Sequence, residues 1–575
     1  MGKFLEKLFK ALVLINVTSI PGYNPDRLSQ IFMDIETISC LVSCIICCIV
    51  VFVFLAYFGI LEMPGTVITI LYLSAAIPVV MVSGCIPYDV SLSMFGANNN
   101  KETLRFFLEM MYWVSFVLTW IFVPLAVSYL GYSHTISVKH RIWMTIRENL
   151  IFYGVALLII VLGLTFLLSA NKISFKSIFP LVIALGNGYG LLVLCLLLGY
   201  GFISLPRALW NYSNPSFRYK KHLSDMFRET QKCSFIVADA EAAIHYYEIA
   251  KESIPYAHKE MFKSMTDQRM VQMNTLKAEI PIPDRFFTSK ATNKKMDKVR
   301  GIKWNNVSPS ELEDFFCLLD TTSYSLKQMT TFILDTSKDA VNALHQMKQL
   351  SQKSQKSFSF YKILSIFVST FVAICYWGEL SLVFKRDISP FYLLSHLKVS
   401  PLVGQMLITF PILSFMLFIG GWSLTKVQLG SFFRFIKGAT NANTFNYWAL
   451  ILCRLGPTIA YHYLLQIGAK KTEFNSVMGV MDQVIFVGTS WNYVSPVLLI
   501  MCSLFVYFDV WDNVIGCLGF GSLAFDSVLS QNDLEIAESV LKDINPEAVE
   551  LLTNKGLSIG SQKESNILPV EEALL

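Results

Sequence analysis

Arg454 sits in "ALILCRLGPTIAYHYLL", Ala449–Leu465, an otherwise almost wholly apolar stretch. If that stretch crosses a bilayer, a guanidinium near its centre costs roughly 2.5–3.5 kcal/mol on insertion scales. Counted from Phe445, Arg454 lies about nine residues, or ~14 Å, into the span. That is near the limit of what snorkelling to headgroups can reach, so a carboxylate from another span is expected to balance it. The acidic candidates are Glu379 in "CYWGELSLVF", Asp509 and Asp512 in "FDVWDNV", and Asp89 in "CIPYDVSLS". Asp509 and Asp512 have the spacing that puts two side chains on one helix face. Such a pair either glues helices together or marks a transport path.

Other polar groups share these apolar runs. His462, two turns beyond Arg454, is a hydrogen-bonding residue or a proton relay. Asn187 stands between Gly186 and Gly190, whose spacing allows close helix contact; its amide could bond across that contact or line a cavity. The "GYG" at Gly188–Gly190 lacks the pore helix and re-entrant loop of a potassium filter. Pro457 removes the donor for the Cys453 carbonyl and, with Gly456, provides a hinge; Pro411 does the same one span earlier.

The remaining chemistry is sparse. No phosphate loop, nucleophile elbow or HExxH is present, and nothing argues for an enzyme or a cofactor. The 12 cysteines lie mostly in apolar runs, so no secreted disulfide framework is expected. "CIIC", Cys44–Cys47, reads as packing, and no metal site is expected. A net charge of +5 leaves no nucleic-acid footprint.

The elements that hold these residues follow from composition. The 575-residue chain is 54% hydrophobic and 15% charged, with 44 Phe. Soluble domains carry about 25% charged residues. Here the apolar residues gather into runs of about 18 or more, long enough for ~30 Å of hydrocarbon. The chain reads as an all-α polytopic membrane protein of about nine spans, five before and four after a polar insert. The spans fall near Thr37–Ile60, Gly65–Cys85, Met110–Tyr129, Leu150–Leu168, Ile178–Ser204, Tyr361–Phe384, Pro401–Leu424, Phe445–Ile467 and Val494–Leu518. Residues 1–36 form an N-terminal amphipathic segment, 37–204 the first five spans, 205–360 the insert, 361–519 the last four spans, and 520–575 an acidic tail with one or two short helices.

The insert reads as an antiparallel helical hairpin, with Pro281 and Pro283 in its connection. In its second half Ser308, Pro309 and Glu311 form a helix start with a capping box. Leu312, Leu319, Leu326, Ile333, Ala340 and Met347 then recur every seven residues, a narrow apolar seam suited to a partner helix. Basic flanks (Arg207, Arg218, Lys220 and Lys221; Lys348, Lys353, Lys356 and Lys362) favour a cytosolic insert, although Lys and Arg summed over all short segments do not decide the orientation. In that orientation the N-terminus is outside, and the sequon at Asn16 becomes usable for glycosylation.

Motifs in order along the chain carry a resemblance: "PYDVS" at Pro87–Ser91, "GYGFISLPRALW" at Gly199–Trp210, "WGE" at Trp377–Glu379, "LCRLGP" at Leu452–Pro457, and "FNSVMGVMDQVIFVGTSWNYVSP" with Met478, Gly479, Met481, Asp482, Asn492 and Pro496. The chain resembles the LMBR-type (limb region) membrane proteins, most of all their domain-containing-protein-two branch. Gly378 departs from that family's Trp-Ser-Glu. The resemblance implies receptor or transporter architecture; its branches are associated with lipocalin uptake, lysosomal cobalamin export and receptor signalling, and no common ligand follows. It also strengthens Glu379 and Arg454 as a structural or gating pair. Two functions are therefore expected. One is a receptor or signalling and trafficking scaffold that binds a cytosolic protein through the 205–360 insert. The other is a transporter, channel or lipid-handling protein with a polar cavity around Arg454, Glu379 and Asn187. Either is integral to a membrane and surrounded by its lipids, with plasma and endolysosomal membranes both open.

Overall fold

The computed structural model describes residues 25–59, 65–95, 101–132, 137–169, 178–254, 256–279, 304–352, 360–384, 388–396, 401–426, 435–469, 471–478, 490–508 and 531–553, with isolated positions between. Among these it is helical, without strands. In chain order the helices are α1 (Pro25–Tyr57), α2 (Gly65–Val80), α3 (Ile86–Phe95), α4 (Lys101–Val117), α5 (Val123–Gly131), α6 (Val138–Ser169), α7 (Ile178–Tyr212), α8 (Pro215–Ser253), α9 (Tyr256–Glu279), α10 (Pro309–Gln352), α11 (Phe360–Val383), α12 (Pro390–Ser395), α13 (Pro401–Lys426), α14 (Ala442–Ile467), α15 (Glu473–Met478), α16 (Ser490–Tyr507), α17 (Gln531–Ile544) and α18 (Pro546–Thr553). Single π-helical turns, Met81–Cys85 and Leu118–Phe122, join α2 to α3 and α4 to α5.

Among the described residues seven helices are long and apolar enough to cross a membrane, and they coincide with the first seven expected spans. The eighth expected span is α14, and the ninth is the shorter α16 with its end outside the described residues. Both contribute to the same apolar core, α14 through Phe445, Leu455 and Ile459 and α16 through Leu499. α1 starts at Pro25, earlier than the expected Thr37. Asn16 and the first 24 residues lie outside the described residues, as do Pro281 and Pro283.

Proline chemistry explains how α14 comes to the centre. Pro78 within α2 and Pro457 within α14 each leave one carbonyl, those of Ser74 and Cys453, without its helical donor. Cys453 Sγ donates to the Ser74 carbonyl at 2.8 Å, and Ser115 Oγ of α4 donates to the Cys453 carbonyl at 3.1 Å. Both vacancies are thus filled from neighbouring helices, as a water-free interior requires. The helices cross closely: a Cβ on Gly456 would lie 2.6 Å from Pro78 Cβ, and one on Gly190 of α7 would lie 2.5 Å from Thr458 Cγ2. The expected close contact at Gly186 and Gly190 is therefore made against α14.

The insert is larger than a hairpin. It holds three long helices, α8, α9 and α10, and the tail helices α17 and α18 pack into the same core. Leu534, Ala537 and Leu541 of α17 and Ala548, Leu551 and Leu552 of α18 are buried there. Tyr219 on α8 donates to Glu538 on α17 at 3.0 Å, with both side chains buried. α7 runs to Tyr212, past the expected boundary at Leu205, and Asn214 caps α8 at once by accepting from Ser216 N at 3.0 Å. α10 starts as its sequence dictates: Ser308 N donates to Glu311 Oε2 at 2.8 Å, and Glu311 N to Ser308 Oγ at 3.3 Å. Ser308 N and Ser308 Oγ, both donating to Glu311 Oε2 at 2.8 Å, hold the Glu311 carboxyl below its ordinary pKa.

The insert is anchored to one face of the membrane bundle. Gln328 Nε2 of α10 donates to the Ala439 carbonyl at 2.8 Å, beside the start of α14. Thr440 N donates to the Phe58 carbonyl at 3.4 Å, so the C-terminal end of α1 reaches the same face. Gly59, at φ +102°, meets Gly438, at φ +68°, in that contact; both take a backbone conformation that side chains disfavour. A belt of aromatic rings under lysines marks this edge: Lys437 over Tyr57 at 5.3 Å, Lys362 over Trp210 at 5.3 Å, and Lys426 over Trp422 at 5.6 Å. The start of α1 therefore lies toward the opposite face from the tail helices.

Candidate intramembrane polar site

The polar residues of α14 form a stripe. Asn446, Arg454, Thr458, His462 and Gln466 are spaced by multiples of four, so each is a turn or two from the next and the row winds round the helix by about 40° per step of four. All five are buried. The stripe spans 20 residues, ~30 Å of rise, about one hydrocarbon thickness.

At the end remote from the insert it forms a cluster with a carboxyl group. Glu379 of α11, fully buried, meets His462 Nε2 through Oε2 at 2.7 Å and accepts from Gln466 Nε2 through Oε1 at 2.8 Å. Each carboxylate oxygen is thus used, as a buried charge demands. Gly378 makes room: a Cβ there would lie 2.6 Å from the Phe391 ring and 3.5 Å from Gln466 Oε1.

Arg454 occupies a different level. It is two turns, ~12 Å, from His462 along α14, and ~18 Å from the first residue of α14, at mid-depth. Its guanidinium carbon lies 4.9 Å from the Phe116 ring centroid and 5.2 Å from that of Trp120. A Cβ on Gly186 of α7 would lie 4.0 Å from Nη1. The expected pairing with Glu379 is therefore corrected: that carboxylate is engaged by His462 and Gln466. Asp89 is also committed elsewhere. Its two oxygens accept from Glu473 N at 2.9 Å and Phe474 N at 2.8 Å, capping the short helix α15 across a gap of 384 residues in sequence. Asp509 and Asp512 lie outside the described residues, as does the side chain of Asn187. Among the described residues, rings rather than a carboxylate face Arg454, so cation–π attraction stands where an ion pair was expected.

Several atoms of the stripe lack hydrogen-bond partners among the described residues: both amide atoms of Asn446, Arg454 Nη2, His462 Nδ1 and Gln466 Oε1. Native interiors leave few such groups, and those that remain call for water, an ion or a ligand. The hinge positions are placed differently. Gly456 and Pro457 are buried at the crossing with α2, whereas Pro411 is exposed within α13.

The seam of the insert is also corrected. Leu312, Leu319, Leu326, Ile333 and Ala340 are buried, and Met347 is half-buried, within the insert's own core. They are consumed by packing against the neighbouring insert helices and are not a free partner face. The heptad spacing was right about an apolar stripe and silent about what covers it.

One cluster was missed by sequence reasoning. The Sγ atoms of Cys40 and Cys44 on α1 and of Cys85 in the first π turn all lie within 4.8 Å of one another. Cys44 pairs in space with Cys40 and Cys85, rather than with Cys47 of "CIIC". Cys40 and Cys44 are one turn apart, a visible signal; the third thiol is 41 residues on from Cys44, and a π turn re-aims it.

Comparison with known proteins agrees with this architecture. The family model for LMBR1-like membrane proteins matches residues 36–511. LMBR1 domain-containing protein 2 homolog A of Dictyostelium discoideum is 23% identical over 462 residues, covering 76% of this chain and 62% of that protein. The G-protein coupled receptor-associated protein LMBRD2 of Gallus gallus is 22% identical, covering 76% of this chain and 68% of its own length. The Homo sapiens protein of that name is 23% identical, covering 74% and 66%. The chain thus spans about two thirds of the length of these relatives. No solved structure matches. A helical multi-pass bundle, with a family match running from its first span into the region after α16, places the chain in the LMBR1-like membrane protein family.

Proposed function

We propose that the chain is a receptor-associated membrane scaffold, non-enzymatic, whose cytosolic helical domain docks a protein partner. Relatives named G-protein coupled receptor-associated proteins support a partner at the membrane. The observation that carries the reading is the joint core of insert and tail, tied to the membrane bundle by Gln328 and by the near-continuous α7–α8. A partner held by such a domain is mechanically coupled to the spans. The lysines at the insert face, Lys362, Lys426 and Lys437, favour its cytosolic placement. With the heptad seam buried, docking falls to the outer surfaces, including the exposed Lys259 and Val271 of α9.

Co-purification of the full-length protein with a panel of seven-helix receptors from native membranes tests this. Recovery of a receptor with the intact chain, and its loss with Lys259→Glu combined with Val271→Asp, is expected. Recovery no higher than with an unrelated multi-pass protein would sink the scaffold reading.

The stripe on α14 favours a second reading, passage of protons or a small polar solute through the bundle. Its unpartnered buried atoms run from Asn446 to Gln466, a membrane thickness apart. Liposomes holding the full-length protein and a pH-sensitive dye, given a proton gradient, should dissipate it faster than empty ones and lose that advantage with His462→Phe. Equal rates in all three would remove this reading.

A further inference from the structure

We propose that Cys40, Cys44 and Cys85 form a binding site for a soft monovalent metal ion, Cu(I), at the membrane edge remote from the insert. Three thiols converge there from two elements, with every pair of sulfurs within 4.8 Å. A metal–sulfur distance of ~2.3 Å in a trigonal plane needs sulfurs ~4 Å apart. The cluster reaches that by rotating side chains, without moving helices.

The surroundings are shaped to hold it. Cys40 and Cys44 face the same side of α1 by their i, i+4 spacing. Cys85 closes the π turn Met81–Cys85, which inserts one residue into the helical repeat and turns its side chain toward α1. Gly84 supplies the space: a Cβ at that position would lie 2.6 Å from Cys44 Sγ. The Gly84 carbonyl lies 3.5 Å from Cys40 Sγ, which donates to it and is aimed by it. The three cysteines are free thiols.

Donor type and number select the ion. Thiolates are soft ligands that favour Cu(I) and Zn(II) over hard cations. Among the described residues the group contains no imidazole or carboxylate. Three sulfurs complete a trigonal Cu(I) shell but leave structural Zn(II), which takes four ligands, one short. Each thiol that ligates gives up its proton to solvent, so affinity rises with pH. Position makes the charge tolerable. Cys40 follows Glu36 by four residues and Cys85 precedes Asp89 by four, and these acidic positions bound the apolar runs, so the ion sits toward the interface and away from the hydrocarbon centre.

The test is titration of the full-length reduced protein in detergent with Cu(I), in competition with a chromophoric Cu(I) chelator, followed by X-ray absorption at the copper edge. One Cu(I) per chain with a shell of three sulfurs is expected. Cys40→Ser, Cys44→Ser and Cys85→Ser should each weaken binding by more than about 100-fold, beyond the 10–100-fold typical of outer-shell changes. Cys502→Ser, in α16, should leave it unchanged. Because a serine variant can misfold, Gly84→Ala is the second probe: it keeps all three sulfurs, crowds Cys44, and should weaken binding about 10–100-fold. Affinity equal to that of the triple serine variant, Zn(II) bound in preference with a fourth ligand, or a Cys44–Cys85 disulfide in the protein isolated without reductant would each overturn the proposal.

Discussion

Helices α6 and α14 invite comparison, because each is long enough to cross the membrane and they use opposite means. Among the described side chains of Val138–Phe166 in α6 only Arg141, Thr145 and Asn149 are buried, and Leu150, Phe152, Leu158 and Phe166 all point outward. On α14 every residue from Leu452 to Leu464 is buried, including a cation, an imidazole, a threonine and a proline. In lipid, an apolar side chain gains little by leaving its neighbours for another helix. Close approach through small residues and interhelical hydrogen bonds decides who sits at the centre. Gly154 and Gly163 of α6 have nothing nearby, whereas Gly456 of α14 meets Pro78 and Gly190 of α7 meets Thr458. Of the two, the more apolar helix is the rim and the more polar one is the hub.

The largest expected break of this contrast is at Glu379. Glu379→Ala leaves His462 and Gln466 buried without their acceptor and should destabilise the full-length protein by about 3–5 kcal/mol. The paired change Glu379→Leu with His462→Leu removes both ends and should recover most of that loss. Thermal unfolding in detergent, read as the fraction still monodisperse, reports it. Equal losses for the single and paired variants would mean that the cluster does not hold α11 to α14.

Next in size is a single methyl group at a helix crossing. Gly456→Ala drives a Cβ to 2.6 Å from Pro78 and should cost about 1–3 kcal/mol by overpacking. The same change at Gly154 of α6 meets open space and should be neutral or stabilising by up to about 1 kcal/mol through helix propensity. If both substitutions behave alike, hub and rim are not the distinction drawn above.

The same contrast explains what was legible in the sequence. Hydropathy located α6 without ambiguity, because lipid-facing residues are all apolar. It also located α14, although α14 falls outside the set of helices that satisfy length and apolarity alone. The motif around Arg454 and Pro457 pointed to the hub, and the freed Cys453 carbonyl was foreseeable from Pro457. Its donor, Ser115, was not, since nothing local links residues 338 apart. Glu379 and His462 were each visible as buried polar residues, but their pairing depends on which faces of α11 and α14 meet. The tail was read as an acidic appendage because its charges are obvious. The apolar spacing Leu534, Ala537, Leu541 was the signal that one face is covered. The cysteine cluster was hidden by the π turn, a change of register that residue types do not announce.

The smallest expected effect is at Arg454, and it separates the two levels of the hub. The guanidinium gains from the rings of Phe116 and Trp120, a contact worth about 0.5–2 kcal/mol, and loses hydration while Nη2 lacks a partner among the described residues. These oppose, so Arg454→Met, which keeps the chain's bulk, should change stability by less than about 1 kcal/mol. In the Glu379→Ala background the same substitution should add its own effect and rescue nothing, because the sites share no partner and additivity holds to about 0.5 kcal/mol at such separations. A coupling energy of about 1 kcal/mol or more between the two positions would tie Arg454 to Glu379 through a shared occupant of the stripe. A loss of several kcal/mol from Arg454→Met alone would instead mean that a carboxylate beyond the described residues, Asp509 or Asp512, holds the guanidinium as an ion pair.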